Sequence, residues 1–197
     1  MNEFYEKFPD GTETLLTDLP FDIPDSWTWC RLGSVIEIAR GGSPRPIKAY
    51  ITTNHNGINW IKIGDSDKDG KFISQTREKI IPEGASKSRI VKKGDFLLTN
   101  SMSFGRPFIL NIEGCIHDGW LVLSNYGKTY DRDFLYYMLL SKFAYYQFCK
   151  VVSGAVVKNL NSDKVAETTF PIPPLNEQKR IVNKLNSLNK CIDDCKQ

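Results

Sequence analysis

A chain of 197 residues with 41% hydrophobic and 12% aromatic side chains can build one sizeable core plus an appended element, which sets aside intrinsic disorder. No apolar run approaches the ~20 residues needed to cross a bilayer. The first 25 residues are acidic and polar, the opposite of a signal peptide, so the expectation is a cytoplasmic protein with no membrane partner. The net charge of +3 hides an uneven spread. Residues 1–30 hold one Lys/Arg against seven Asp/Glu, residues 31–110 fourteen against seven, and residues 111–197 eleven against nine. A basic middle third suits a polyanion partner, and a solvated charged face is the alternative reading.

In chain order, residues 1–25 read as a polar lead-in that ends in Leu19-Pro20-Phe21-Asp22-Ile23-Pro24, where the prolines favour an extended approach. Trp27 and Trp29 sit two apart, on one face of a strand at the edge of the core. Residues 31–130 read as short strands broken by turns. Leu32 to Ala39 is apolar and β-branched, Gly41-Gly42-Ser43-Pro44 is a loop, and Ile58 to Ile63 is a strand. Asp67-Lys68-Asp69-Gly70 is a turn, Lys79-Ile80-Ile81 an extended piece closed by Pro82, and Gly94-Asp95 a turn into the buried strand Phe96 to Thr99. Phe108-Ile109-Leu110 and Leu121-Val122-Leu123 complete the β part.

Residues 131–197 turn helical. Asp131-Arg132-Asp133 caps a segment in which Phe134, Tyr137, Met138, Ser141, Tyr145 and Phe148 recur near helical spacing. Lys150 to Asn161 is a break centred on Gly154, and Pro171-Ile172-Pro173-Pro174 is a rigid extended hinge. Leu175 to Cys195 is a terminal helix that Asn176 can cap. Its Ile181, Leu185, Leu188, Ile192 and Cys195 recur at intervals of 4, 3, 4 and 3, a heptad seam that calls for a partner helix. The expected fold class is α+β: a mixed, mostly antiparallel sheet domain over 1–170 and a projecting coiled-coil helix over 171–197.

Catalytic signatures are missing. Gly127-Lys128-Thr129 ends like a phosphate-cradling loop, but Val122 stands where its first glycine belongs. Pro173-Pro174, between Ile172 and Leu175, fails the Asn/Asp-Pro-Pro-Tyr/Phe pattern of amino-methyltransferases. Asp69-Gly70-Lys71 and Glu177-Gln178-Lys179 match the acidic-x-Lys element of metal-dependent nucleases by letters alone. Five cysteines without a C-x-x-C pair, and two histidines (His55, His117) without ligand spacing, indicate neither a disulfide framework nor a metal site.

The terminal segment Phe170-Pro171-Ile172-Pro173-Pro174-Leu175-Asn176-Glu177-Gln178-Lys179-Arg180-Ile181-Val182 closely resembles the start of the conserved helix in type I restriction-modification specificity (S) subunits. Ser153-Gly154-Ala155 followed by Lys158-Asn159-Leu160 resembles the family's glycine-rich turn before that helix. Ile23-Pro24-Asp25-Ser26-Trp27-Thr28-Trp29-Cys30-Arg31-Leu32-Gly33 resembles its domain entry, Gly41-Gly42-Ser43-Pro44 its "GxTP" loop, and Lys92-Lys93-Gly94-Asp95-Phe96-Leu97 its "GDxL" strand. The five motifs, in the family's order, span about residues 20–195.

The resemblance implies a target-recognition domain that reads one half of a split site in double-stranded DNA. A full subunit of this family has two such domains and two conserved helices, packed antiparallel as a spacer; this chain carries one of each. The helix partner is then a second copy in a homodimer or a second specificity half. Methyltransferase (M) subunits, which carry S-adenosylmethionine, and restriction (R) subunits would supply the chemistry, so no catalytic residue, metal or cofactor is expected on this chain. Rival readings are the recognition subunit of a fused nuclease–methyltransferase system, which shares this domain, and an interaction scaffold that uses the helix without touching DNA.

Base edges are read by Arg, Lys, Asn, Gln or Ser on loops, and phosphates are held by Lys, Arg and backbone N–H. The polar loop Asn100-Ser101-Met102-Ser103-Phe104-Gly105-Arg106 has that composition, so Asn100, Ser101, Ser103 and Arg106 are candidate DNA contacts. Arg40, Arg45 and Lys48 flank the Gly41-Gly42 turn and are candidates for phosphate. Lys158 and Asn159 either meet DNA or cap a helix. Lys62, Lys68 and Lys71 are weaker, because Asp65, Asp67 and Asp69 offset them. Ile181, Leu185, Leu188 and Ile192 are the candidate helix-pairing residues.

Overall fold

The computed structural model describes residues 4–8, 10–16, 19–101, 104–152 and 159–195. A hairpin of β1 (Tyr5–Lys7) and β2 (Glu13–Leu15) precedes β3 (Thr28–Arg31) and β4 (Glu37–Arg40). Next come β5 (Ile51–Thr52), β6 (Ile58–Ile61), β7 (Phe72–Ile73), β8 (Glu78–Ile80), the single-turn helix α1 (Pro82–Ala85) and β9 (Arg89–Val91). Strands β10 (Phe96–Thr99), β11 (Pro107–Leu110), β12 (Gly114–Ile116) and β13 (Trp120–Ser124) follow. Helices α2 (Arg132–Leu140), α3 (Lys142–Val152) and α4 (Ser162–Ala166) lead to β14 (Thr169–Ile172) and the long α5 (Leu175–Asp194).

Every residue of β10 and β11 is buried, and layering is the reason. They lie at the centre of a five-stranded sheet ordered β4-β13-β10-β11-β7. Alternation along the strands sends Phe96, Leu98, Ile109, Leu121 and Leu123 toward Phe134, Leu135 and Met138 of α2. Their neighbours Leu97, Phe108, Leu110, Trp120 and Val122 point the other way, against Ile61, Val91 and Ile116 of a second sheet. That sheet is ordered β5-β8-β6-β12-β9. Its far face carries Trp60, Ile80 and Cys115 beneath a small cover that includes Ile47, Tyr50 and Ala85. A strand covered on both faces needs no polar side, hence the unbroken apolar runs. Pairing is mostly antiparallel, with β7–β11 and β6–β12 parallel, so the fold is α+β as expected.

Several boundaries differ from the sequence reading. Leu32 to Ala39 is not one strand: Leu32–Ser34 is a 3-10 turn before β4. Gly33 there lies so close to α4 that an added Cβ would stand 2.5 Å from the Cβ of Ala166. The helical pattern after Asp131 splits at Ser141, which is extended (ψ 153°) and whose hydroxyl accepts from the Ala144 amide to restart the chain as α3. Pro171 and Ile172, expected to open a rigid extended hinge, belong with Thr169 and Phe170 to β14, which pairs with β3 in the register Phe170↔Cys30 and so joins the end of the domain to its beginning. Asn176 does not cap α5. The helix starts at Leu175, and the Pro174 carbonyl accepts from Glu177 and Gln178. The lead-in contains the β1–β2 hairpin, tied down by Arg31, which donates to both carboxylate oxygens of Glu6 at 2.5 and 2.9 Å. Trp29 is buried against Phe21 and Phe143, while Trp27 precedes β3 and is half-buried. No helix among the described residues is long and apolar enough to cross a membrane.

Candidate nucleic-acid interface

Two neighbouring loops and the turn between β12 and β13 converge on Asp118. Gly41 makes this possible: a Cβ there would lie 2.2 Å from the His117 carbonyl oxygen, so only glycine lets the strand ends approach. The amides of Gly41 and Gly42 donate to the carbonyls of Trp120 and Ile116. The Asp118 carboxylate accepts from the Ser43 hydroxyl at 2.7 Å and from Arg45 Nη2 at 3.5 Å, and His117 Nε2 lies 3.0 Å from it. The Asp118 backbone carbonyl accepts from Arg40 Nε at 3.1 Å and from the Asn100 amide at 2.8 Å. Partial burial raises the Asp118 carboxyl, but the Ser43 hydroxyl, His117 and Arg45 together hold it below its ordinary value. His117 Nδ1 accepts from the Gly119 amide at 2.9 Å, which leaves Nε2 to face the carboxylate.

Beside this hub a cleft of about 570 Å³ opens over the far face of the second sheet. Its floor is Trp60, 1% exposed. Ser43, Arg45, Lys48, Lys62, Glu78 and His117 line its sides. The cleft therefore carries two exposed cations on the 43–48 loop, Lys48 and Arg45, whose side chain is 80% exposed even as it reaches Asp118. Asp65, expected to offset Lys62, instead uses its carboxylate on the backbone amides of Lys62 and Arg77. The ammonium of Lys62 pairs with Glu78 at 2.5 Å. Lys71 faces away: it binds Asp133 at 2.6 Å and lies over the Tyr136 ring at 4.6 Å.

Of the predicted contacts, Arg40, Arg45 and Asn100 thus meet at one residue, and Lys48 lines the adjoining cleft. Asn100 is a correction: it is 2% exposed and its amide already serves the Asp118 carbonyl, so it holds the loops in register and presents nothing outward. Its own carbonyl accepts from the Leu160 amide, which brings the exposed Asn159 to the same edge. Ser101 follows, half-buried. Arg106 departs from the group, because its guanidinium stacks over Phe108 at 5.3 Å and donates to the Gly70 carbonyl at 3.4 Å. Ser103 and Lys158 lie outside the described residues. The sequence reading missed Asp118, His117, Ser43 and Glu78. The Asp118-Gly119 turn signal was present, but turn chemistry alone does not reveal which loops meet there.

On α5 the residues that hold the helix to its domain include one member of the seam, Ile181, which packs against the core that contains α2. Gln178 is fully buried. Its amide donates to the carbonyls of Thr129 (2.9 Å) and Pro173 (2.8 Å), and its oxygen accepts from the Asp131 amide (2.8 Å). Val182 is buried beside it, and Tyr137 donates to Asn186 at 2.6 Å. Ile181 and Leu185 are half-buried, whereas Leu188 and Ile192 are 47% and 53% exposed. Among the described residues no group of three or more His, Cys, Asp or Glu is placed to hold a metal ion.

Residues 24–197 match the family model for the type I restriction modification DNA specificity domain. The chain is 24% identical over 181 residues to the type I restriction enzyme MjaVIII specificity subunit of Methanocaldococcus jannaschii, covering 87% of this chain and 41% of that protein. It is 29% identical over 178 residues to the EcoBI specificity subunit of Escherichia coli, covering 88% and 35%. Its fold is similar to that of the HsdS subunit from Thermoanaerobacter tengcongensis, with a TM-score of 0.71 at 24% identity, over 91% of this chain and 41% of that one. The chain thus spans about two-fifths of the length of such relatives. With the match running from the domain entry through α5, this chain belongs to the family of type I restriction modification DNA specificity domains.

Proposed function

We propose that this chain recognises double-stranded DNA by sequence, as one half of a specificity subunit that directs M and R subunits, and that it performs no chemistry itself. The observation that carries the reading is the cleft beside the Asp118 hub, where Arg40 and Arg45 meet Asp118 and where Arg45 and Lys48 line a concave surface floored by Trp60. Phosphate contacts by such residues fix register, and the polar groups within the cleft read base edges. The residues through β14 act as the recognition domain, two residues further than the sequence boundary at 170, and α5 acts as the spacer helix. The seam Ile181, Leu185, Leu188 and Ile192 takes an antiparallel helix from a second copy or a second specificity half. The exposure of Leu188 and Ile192, on a helix whose N-terminal half is anchored to the domain by Gln178, Ile181 and Val182, supports this reading.

Titration of a duplex library against the chain at several salt concentrations tests the proposal. Affinity should fall steeply with salt, and Arg45→Ala with Lys48→Ala should shrink the log–log slope by about two, since each phosphate contact contributes ~0.9. Binding that is indifferent to salt and to DNA sequence would leave the scaffold reading in place.

A further inference from the structure

The Lys62–Glu78 pair stands out within the cleft because it is a poor phosphate contact. A lysine already matched to a carboxylate at 2.5 Å brings no net charge, and the carboxylate repels a phosphate. Nor does it serve the core, since both side chains are about one-third exposed (33% and 38%). Strand geometry explains how the two come together. Trp60 and Lys62 are two residues apart and so share a face, and Glu78 of β8 lies directly opposite Trp60 of β6. Lys62 and Glu78 therefore stand side by side above the Trp60 floor, in the same cleft that Arg45 and Lys48 line.

We infer that Lys62 and Glu78 are a specificity-determining couple that reads one C·G base pair through the major groove. The inference rests on the DNA-recognition reading and deepens it. A C·G pair offers, next to each other, the amino donor of cytosine N4 and the two acceptors O6 and N7 of guanine. The Glu78 carboxylate matches the donor and the Lys62 ammonium matches the acceptors, so the couple exchanges its mutual contact for two charge-assisted ones without separating its charges. In an A·T pair the acceptors N7 and O4 lie on either side of the N6 amino group, and the thymine methyl stands in the way. The ammonium then meets one acceptor at most. The cations Arg45 and Lys48 at the rim hold the neighbouring phosphates while the couple reads.

Selection from randomised duplexes, with the chain in its assembled complex, tests this. The wild-type site should contain a fixed C·G pair. Lys62→Met and Glu78→Gln should each lower discrimination at that one position by about tenfold or more, with the other positions unchanged. Glu78→Gln should also shift the preference toward A·T, because an amide presents both an acceptor and a donor to adenine N6 and N7. Lys62→Arg should retain the C·G preference. A wild-type site without any fixed C·G pair overturns the inference whether or not the variants fold, and so do folded variants that lose affinity equally for all sequences. If the wild type enriches no sequence at all, the recognition reading itself fails.

Discussion

Replacing Gln178 by alanine removes three hydrogen bonds at once from a fully buried position: two donated to the carbonyls of Thr129 and Pro173, and one accepted from the Asp131 amide. Each such bond contributes about 0.5–1.5 kcal/mol net, so the expected loss is about 3 kcal/mol. That is a large share of the ~5–15 kcal/mol that stabilises an ordinary domain. Gln178→Glu separates hydrogen bonding from packing. A carboxylate keeps the Asp131 contact but turns negative oxygen toward two carbonyls, so at neutral pH this variant should be at least as unstable as the alanine. Burial beside carbonyls raises its folded-state pKa above the unfolded value. Its deficit should therefore narrow as pH falls through the raised folded-state pKa, when one donor returns. Urea unfolding followed by far-ultraviolet circular dichroism, at neutral pH and near pH 5, reads both effects. A loss below about 1 kcal/mol for the alanine variant, or a glutamate variant as stable as wild type at neutral pH, would refute the claim that Gln178 anchors α5.

Three further outcomes are expected. Gly41→Ala should destabilise by about 1–3 kcal/mol through overpacking against the His117 carbonyl, and should disturb the cleft, as read by the thermal midpoint and by DNA affinity together. Because the folded-state pKa of Asp118 is depressed, its contribution is present above the ordinary carboxylate range and disappears as pH falls through the lower folded-state value; Asp118→Asn should flatten that acid limb in a pH series of unfolding curves. Leu185→Asp with Leu188→Asp should yield a folded chain that no longer associates through the helix, because Gln178, Ile181 and Val182 still hold α5 to its domain; light scattering over a concentration series checks this.

Much of the strand content was legible from local pattern. The turns Asp67–Gly70 and Gly94–Asp95 and the apolar runs after them depend on neighbours in sequence, and φ of +97° at Gly94 is a local demand that glycine meets. The cap at Asp131, which accepts from the amides of Asp133 and Phe134, is local in the same way. The motifs of the domain entry and terminal helix also sufficed to point to the family, because they are contiguous.

The site was less legible, since its residues are joined by pairings of long range. Arg40 and Asn100 stand out in the sequence as polar residues next to turns, yet nothing in their own segments says that both reach the carbonyl of Asp118. That meeting follows from β13 pairing with β4 on one side and β10 on the other. The same pairing buries Asn100, while the β10–β11 hairpin turns Arg106 toward Gly70. On α5 the heptad spacing alone determined which side chains form an apolar stripe. Only the tertiary structure decided that the N-terminal end of that same 3-4 spacing, where Gln178 stands one step before Ile181, faces the domain together with Val182, because a buried amide there satisfies three backbone groups that only the folded chain brings around it.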